Sequence, residues 1–388
     1  MGYLEDVIRE SSNIVTRHVQ ARVLLLSFIL LALFFVITAA LARAYHMREE
    51  GLVEEWSEKG KSDLATGEPA KAFEDFRNAL SYGPENRFVE LRLAEALLAD
   101  GRYAEARSYL LALWESAPGS GEVSLDLAHD SLRLGNVNEA IHYLGDAILG
   151  SWEREPALNR RNVRVELCEL LLSHGRTADA QAEIAGLAAD TPPGNAPQRE
   201  ETGRFFLRAG EPDRALVEFE AALHVDPRES KWLAEAGQAA FQAGDYSRAE
   251  TYLSRAVRED PSLGAQQSLE LVRDVLANDP FYLGLSEEEV ARRIARDLDQ
   301  GLARLRACQA SGTPSSLSLP ALQGLAKDAQ DFQKRVSRRA LERSPQEQND
   351  AIQLTFKIVD ATSKGCGPGT GLDQALELIE KQSQGRAP

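Results

Sequence analysis

Cysteine is scarce, three in 388 residues, and no two stand in a C-x-x-C pair. That excludes a disulfide-dense secreted scaffold, a zinc ribbon and a dithiol redox motif. Positive charge is short as well: 44 Lys plus Arg against 60 Asp plus Glu, a net −16 at pH 7. The chain therefore lacks the basic surface with which a general nucleic-acid binder meets phosphate. Lysine is the rarer base, 9 against 35 arginines, a bias that points to a GC-rich bacterial genome. The six histidines, His18, His46, His129, His142, His174 and His224, contain no H-E-x-x-H or other ligand spacing. His129 and His142 could approach one another, but without a cysteine or carboxylate to complete a site. The glycine-rich run 365–371 has no strand before it and no Gly-Lys-Ser/Thr after it, so it fits neither the dinucleotide fingerprint nor a phosphate loop. With no catalytic constellation, the expectation is a non-enzyme without cofactor, metal or small-molecule substrate.

One feature present is a long apolar run. Residues 23–42 are twenty uncharged positions between Arg22 and Arg43, and fourteen of them are Leu, Ile, Val or Phe. As a helix they span about 30 Å, the thickness of a bilayer's hydrocarbon core. Insertion of such a run is favourable by roughly 4 to 8 kcal/mol. A cleaved signal peptide competes with this reading, because Ala40-Leu41-Ala42 could be a cleavage site. The 22-residue acidic lead-in, with Glu5, Asp6 and Glu10, favours a retained anchor. Basic residues flank both ends almost equally: Arg9, Arg17 and Arg22 before, Arg43, Arg48, Lys59 and Lys61 after. A long C-terminal domain crosses largely regardless of its charge, whereas a short tail with three arginines resists crossing. That favours an inside tail and an outside domain.

Beyond the run, the sequence repeats with a period near 34. Six copies fall at about 53–86, 87–120, 121–154, 161–194, 196–229 and 230–263. A glycine recurs in each, as Gly67, Gly101, Gly135, Gly175, Gly210 and Gly244, and five residues later an alanine: Ala72, Ala106, Ala140, Ala180, Ala215 and Ala249. The eighth position is always small, as Gly60, Ala94, Ala128, Cys168, Gly203 and Gly237. Proline closes five copies, as Pro84, Pro118, Pro192, Pro227 and Pro261. This register, with Trp56, Gly60, Gly67, Ala72, Phe76 and Pro84 in the first copy, resembles the tetratricopeptide repeat. The resemblance covers about 55% of the chain. It implies an all-α fold in which helical hairpins stack into a solenoid with one concave face. The eighth and twentieth positions should meet where the helices cross, and Phe76, Leu110, Leu144, Ile184, Phe219 and Leu253 should fill the space between hairpins. Two departures stand out. The family's tyrosine at position eleven is absent throughout, and six extra residues, 155–160, precede the fourth copy, with Trp152 in place of a proline. That insertion reads either as a contact loop or as a lengthened turn.

By the resemblance, positions 2, 5, 9, 12 and 13 of each repeat line the concave face and hold proteins or peptides. Acidic residues there are Glu54, Glu95, Glu122, Glu169 and Glu200; basic ones are Lys61, Arg133, Arg204, Arg208 and Lys231. The partner-binding candidates are Lys61, Glu95, Arg133, Glu169, Arg204, Arg208 and Lys231. The two-carboxylate clamp of chaperone-binding members is absent, since Ser57 and Lys61 are followed by Leu91 and Glu95. The basic residues of the fifth and sixth repeats suggest either a site for an acidic segment or a solvated face.

After Pro261 a capping helix is expected over 265–277, then a bundle with helices near 287–310, 319–343, 345–364 and 372–383. Start signals are Ser286 with Glu289, Ser344 with Glu347, Thr370 with Asp373, and Ser318 before Pro320. The stretch 311–318 reads as a loop. Cys308 and Cys366 fall at helix ends that an up-down-up bundle places on one side, so a disulfide is possible; two unrelated thiols is the other reading. A bond would fit an oxidising compartment. The expected organisation is a tail at 1–22, a transmembrane helix at 23–42, a helical linker at 43–52, six repeats at 53–263, a cap and junction at 264–285, and a C-terminal helical bundle at 286–388. The function expected is a scaffold that binds proteins or peptides and is held in a bacterial inner membrane by one span, its C-terminal domain in the periplasm, for assembly of an envelope complex. The alternative is a cytoplasm-facing adaptor that regulates a protease or transport machine.

Overall fold

The computed structural model describes residues 2–116, 118–310 and 319–385, and side chains outside 1–24, 117, 311–321 and 384–388. Among the described residues all regular structure is helical. The chain divides into two compact units, residues up to Val163 and residues from Arg164 onward.

The first unit begins with α1 (Gly2–Ala65), one helix of 64 residues. It runs without a break through the boundaries expected at 22/23, 42/43 and 52/53, so the apolar run and the first repeat share a single rod about 95 Å long. Leu25 to Val36 are exposed, a largely apolar surface. This is one helix long and apolar enough to cross a membrane. Its last turns pack on α2 (Pro69–Tyr82), followed by the pairs α3 (Arg87–Ala99) with α4 (Tyr103–Ser116) and α5 (Gly121–Arg133) with α6 (Val137–Leu149). The extra residues before the fourth repeat form no loop. They lengthen α7 (Pro156–Ser173) at its start, and the turn before it is tied down: the Gly121 N–H donates to Ser151 O at 2.9 Å, the Ser151 N–H to Gly119 O at 2.7 Å. Trp152 lies against Gly121, where any Cβ would clash with its ring.

In the second unit α8 (Thr177–Asp190), α9 (Ala196–Arg208), α10 (Pro212–Leu223), α11 (Ser230–Gln242) and α12 (Tyr246–Glu259) continue the repeats, and α13 (Gln266–Asn278) covers α12. The bundle comprises α14 (Glu287–Ala310), α15 (Leu319–Arg335), α16 (Arg338–Arg343), α17 (Pro345–Cys366) and α18 (Leu372–Gly385). Its core is Ile294, Leu298, Leu302 and Leu305 of α14 against Leu322 and Phe332 of α15, Leu341, and Ile358 of α17. A disulfide joins Cys308 to Cys366, with Cα atoms 5.8 Å apart. Cys168 is buried. The helix α18 packs on α13, and Gln382 Nε2 donates to Gly244 O at 3.0 Å, so the bundle's last helix touches the final repeat's turn.

Local chemistry explains the elements. All six register glycines sit at φ between 70° and 79°, the left-handed cap that only glycine adopts without strain. The six register alanines are wholly buried. At the crossing, the twenty-fourth residue reaches the eighth position. A Cβ on Gly60 would lie 2.8 Å from the Phe76 ring, one on Gly203 2.8 Å from the Phe219 ring, and one on Gly237 2.6 Å from Leu253 Cγ. These large side chains thus close each hairpin on itself rather than only filling space between hairpins.

Two helix starts hold as N-caps, with the Glu289 N–H on Ser286 Oγ at 3.2 Å and the Glu347 N–H on Ser344 Oγ at 3.3 Å. At the third, the Asp373 N–H donates to the Thr370 carbonyl, not its hydroxyl. The Ser318 start and the 311–318 loop lie outside the described residues. A helix expected over 319–343 is broken at Val336–Ser337, because Ser337 takes an extended conformation and its Oγ caps the Ala340 N–H, starting α16 afresh.

Candidate protein-binding face

The first helices of the hairpins (the last turns of α1, then α3 and α5 in the first unit) carry the candidate groove residues. Lys61 donates to Glu58 Oε1 at 2.5 Å, and its ammonium lies 5.2 Å from the Phe88 ring centre. The Arg92 guanidinium covers the same ring at 4.9 Å and donates to both Glu95 oxygens, at 2.6 and 2.7 Å. Glu122 stands 3.5 Å from Arg92 as well. Arg133 stacks on Tyr103 at 5.2 Å. One guanidinium therefore faces three carboxylates, since Asp126 adjoins Glu95 and Glu122. Burial, despite Arg92, pushes Glu95 above the ordinary carboxylate range. Burial first, then the charge of Glu95, pushes Asp126 up to about 7, and its Oδ2 makes no hydrogen bond. The first unit's face is short of cations.

The second unit balances its charges. Arg208 donates both Nη atoms to Glu169, at 2.6 and 2.7 Å, joining α9 to α7. The hydrogen bonds from Arg208 hold Glu169 below its usual value. Arg204 Nε reaches Glu235 at 2.6 Å and its Nη2 reaches Glu200 at 2.5 Å. Lys231 contacts Glu200 at 2.6 Å, and Trp232 Nε1 donates to the other Glu200 oxygen at 2.7 Å. Burial acts to raise Glu200, but Lys231 and Trp232 leave it below the ordinary range; Glu235, more deeply buried, is raised. Between Glu169, Glu200, Arg204 and Arg208 lies a depression of about 390 Å³ floored by Val165, Pro197 and Phe205.

Of the sequence candidates, the structure brings Glu169 to Arg208, and Arg204 and Lys231 together through Glu200. Lys61, Glu95 and Arg133 are engaged with neighbours the sequence reading had not singled out. That reading missed Arg92, Asp126 and Glu235, all at the sixth position of their repeats, and Trp232 at the third. The recurring charge at position six, as Glu58, Arg92, Asp126, Glu166, Glu201 and Glu235, was a signal that could have found the first three. Among the described residues, no group of three or more His, Cys, Asp or Glu is arranged to hold a metal.

Hairpins with a glycine turn, a small-residue crossing and a charged face of first helices define the class: an α-solenoid that presents side chains to other proteins. Tetratricopeptide-repeat family models match residues 200–263, and 63–128 with 97–150. The chain contains tetratricopeptide repeats. No curated protein matches it. Solved structures similar to it include PilW, described as a widely conserved type IV pilus biogenesis factor, at 18% identity over 56% of this chain and 97% of that one, with a TM-score of 0.35. PilF of Pseudomonas aeruginosa is 16% identical over 57% and 98%, TM-score 0.37. YrrB, described as a tetratricopeptide-repeat protein with an unusual peptide-binding site, is 16% identical over 49% and 94%, TM-score 0.37.

Proposed function

We propose that this chain is a membrane-anchored scaffold whose repeats bind protein or peptide partners and organise a cell-envelope complex, with the span at 23–42 in a bacterial inner membrane and the remainder in the periplasm. The repeat family supports protein binding. The observation that carries the location is the disulfide between Cys308 and Cys366 in a chain with one membrane-length apolar helix. Such bonds persist in oxidising compartments and are rare in the cytosol. Binding residues on this reading are Lys61, Glu95 and Arg133 of the first unit and Glu169, Arg204, Arg208 and Lys231 of the second. A partner in the second unit would exchange its own charges for those of the Arg208–Glu169 and Lys231–Glu200 pairs, as electrostatic recognition requires.

The test is thiol labelling of intact spheroplasts with a membrane-impermeant maleimide. Cys366 is exposed and Cys308 buried, so the expected result is labelling at Cys366 only after external reductant. Free thiols at both positions, shielded from the reagent until lysis, would place the domain in the cytosol and overturn the reading. Photocrosslinkers at Arg133 and Arg208 then capture the partner.

A further inference from the structure

Residues 334–343 read Lys-Arg-Val-Ser-Arg-Arg-Ala-Leu-Glu-Arg, five bases against one acid, in a chain of net charge −16. They cover the end of α15, the break at Val336–Ser337, and α16. Val336 and Leu341 turn inward, 8% and 5% exposed, which leaves the basic side chains facing out. Lys334, Arg335 and Arg338 are 76%, 67% and 55% exposed, and their nearest carboxylates stand off at 3.6, 3.9 and 3.8 Å. Arg339 and Arg343 are exposed one helical turn apart and make no ion pair among the described residues. By contrast, Arg204 and Arg208 meet carboxylates at 2.6 Å. Five bases against these three loosely held carboxylates leave an excess of positive charge that repels itself, so this face suits an anionic surface.

We propose that this face adsorbs to the anionic lipid headgroups of the bilayer in which the chain is anchored, an inference that rests on the anchored reading above. Clusters of four to eight Lys or Arg are what acidic lipid surfaces retain, and guanidinium forks match phosphate oxygens bidentately. A protein partner would want an apolar centre ringed by polar groups; here Phe332, Val336 and Leu341 are all buried, and the exposed face offers charge alone. The inward apolar residues also mean adsorption among headgroups without insertion. The net negative charge of the chain does not cancel the attraction, because screening confines it to about 8 Å, and close to the face the five bases outnumber their ion-pairing carboxylates Asp331, Glu342 and Glu347. Anchoring raises the local concentration of headgroups without any further contact.

The test uses the full chain in nanodiscs carrying one copy each, made of phosphatidylcholine alone or with roughly a third phosphatidylglycerol, with hydrogen exchange followed over 334–344. Exchange there slows about threefold or more with phosphatidylglycerol and recovers in about 0.5 M salt. The triple variant Arg338→Glu, Arg339→Glu, Arg343→Glu loses the effect while keeping its thermal midpoint. Equal exchange in both lipid compositions overturns the proposal, as does slowing that occurs only in discs with two copies, which would make the anionic surface a second chain. Failure of the chain to enter discs at all sinks the anchored reading instead, and is seen separately by co-elution.

Discussion

At the scale of single residues, four of the six hairpins show a volume exchange between the eighth and twenty-fourth positions; Cys168/Ile184 and Gly237/Leu253 stand outside it. Glycine stands opposite phenylalanine at Gly60/Phe76 and Gly203/Phe219, where a Cβ would come within 2.8 Å of the ring. Where the eighth residue is alanine, the twenty-fourth is leucine, as Ala94/Leu110 and Ala128/Leu144, all of them wholly buried. Gly203→Ala gains up to about 1 kcal/mol in helix propensity, but overpacking a filled crossing costs about 1 to 3 kcal/mol. The buried Phe219 ring has nowhere to move, so the variant should lose about 1 kcal/mol or more. Phe219→Leu alone should lose about 1 kcal/mol through the gap it leaves. Combined, the two recreate the Ala/Leu pairing of the second and third repeats, and chemical denaturation should show the double variant more stable than the sum of the singles by at least about 1 kcal/mol. Additive losses would mean that the two positions do not share one space. Small residues at the eighth position are legible in the sequence because they recur; that the twenty-fourth side chain reaches them is not, because period alone does not say which side chain reaches across.

At the scale of elements, α18 shows how the bundle is fastened. Arg304, buried on α14, donates to Glu377 Oε1 at 2.8 Å and to the Gly367 carbonyl at 2.9 Å. The same Glu377 oxygen accepts from the Gly369 N–H at 2.8 Å and from Ser363 Oγ at 3.1 Å. Burial acts to raise Glu377, yet the Gly369 N–H, Arg304 and Ser363 hold it below the ordinary carboxylate range. The glycine-rich corner after α17 is thus a carboxylate clasp: a Cβ on Gly369 would fall 2.4 Å from Arg304 Nη1. The disulfide beside it closes a separation of 58 residues, worth about 4 kcal/mol in the chain-entropy description. The two fastenings act on different states. The disulfide restrains mainly the unfolded chain, whereas the clasp fixes α18 in the folded one. Cys308→Ser with Cys366→Ser should therefore lower the thermal midpoint while exchange over 372–385 stays slow. Arg304→Ala leaves a buried carboxylate without its cation, at a cost of about 3 to 5 kcal/mol, and should release α18, read as fast exchange over the same residues. If the cysteine variant frees α18 and the arginine variant does not, the assignment is reversed. None of this clasp was legible beforehand, since Arg304 and Glu377 are 73 positions apart and bear no periodic relation.

At the scale of the whole molecule, the repeats were readable because one set of steric demands returns six times, while the bundle, with no internal period, yielded its helices but neither the break at Ser337 nor the Arg304–Glu377 clasp. The face chemistry was half readable: which bases and acids line the groove follows from the register, but whether they are balanced depends on burial. That balance sets a pH dependence for the protein. Asp126, beside Glu95, Glu122, Arg92 and His129, is pushed up to about 7, chiefly by burial. Asp297, beside Arg296, Arg293 and Asp279, is pushed up to about 8, again chiefly by burial. Each leaves one carboxyl oxygen without a hydrogen bond. Both groups titrate near 3.8 when unfolded. Between about pH 4 and 8 the unfolded chain has released these protons and the folded chain still binds them, so stability falls as pH rises through that window. Glu169, Glu377 and Asp245 are depressed; their contribution is present above their unfolded values and is lost as pH falls through the folded ones. The two tendencies put the stability maximum on the acid side of neutrality, near pH 5. Asp126→Asn with Asp297→Asn keeps the shape of the protonated groups and removes their ionisation, so it should raise the thermal midpoint at pH 8 by on the order of 5 °C and change it little at pH 4. The acid limb should remain, because the depressed carboxylates are untouched. A double variant whose midpoint falls from pH 5 to pH 8 as steeply as the parent's would show that these two carboxyls are ionised in the folded protein at neutral pH, and that the groove of the first unit carries its full negative charge.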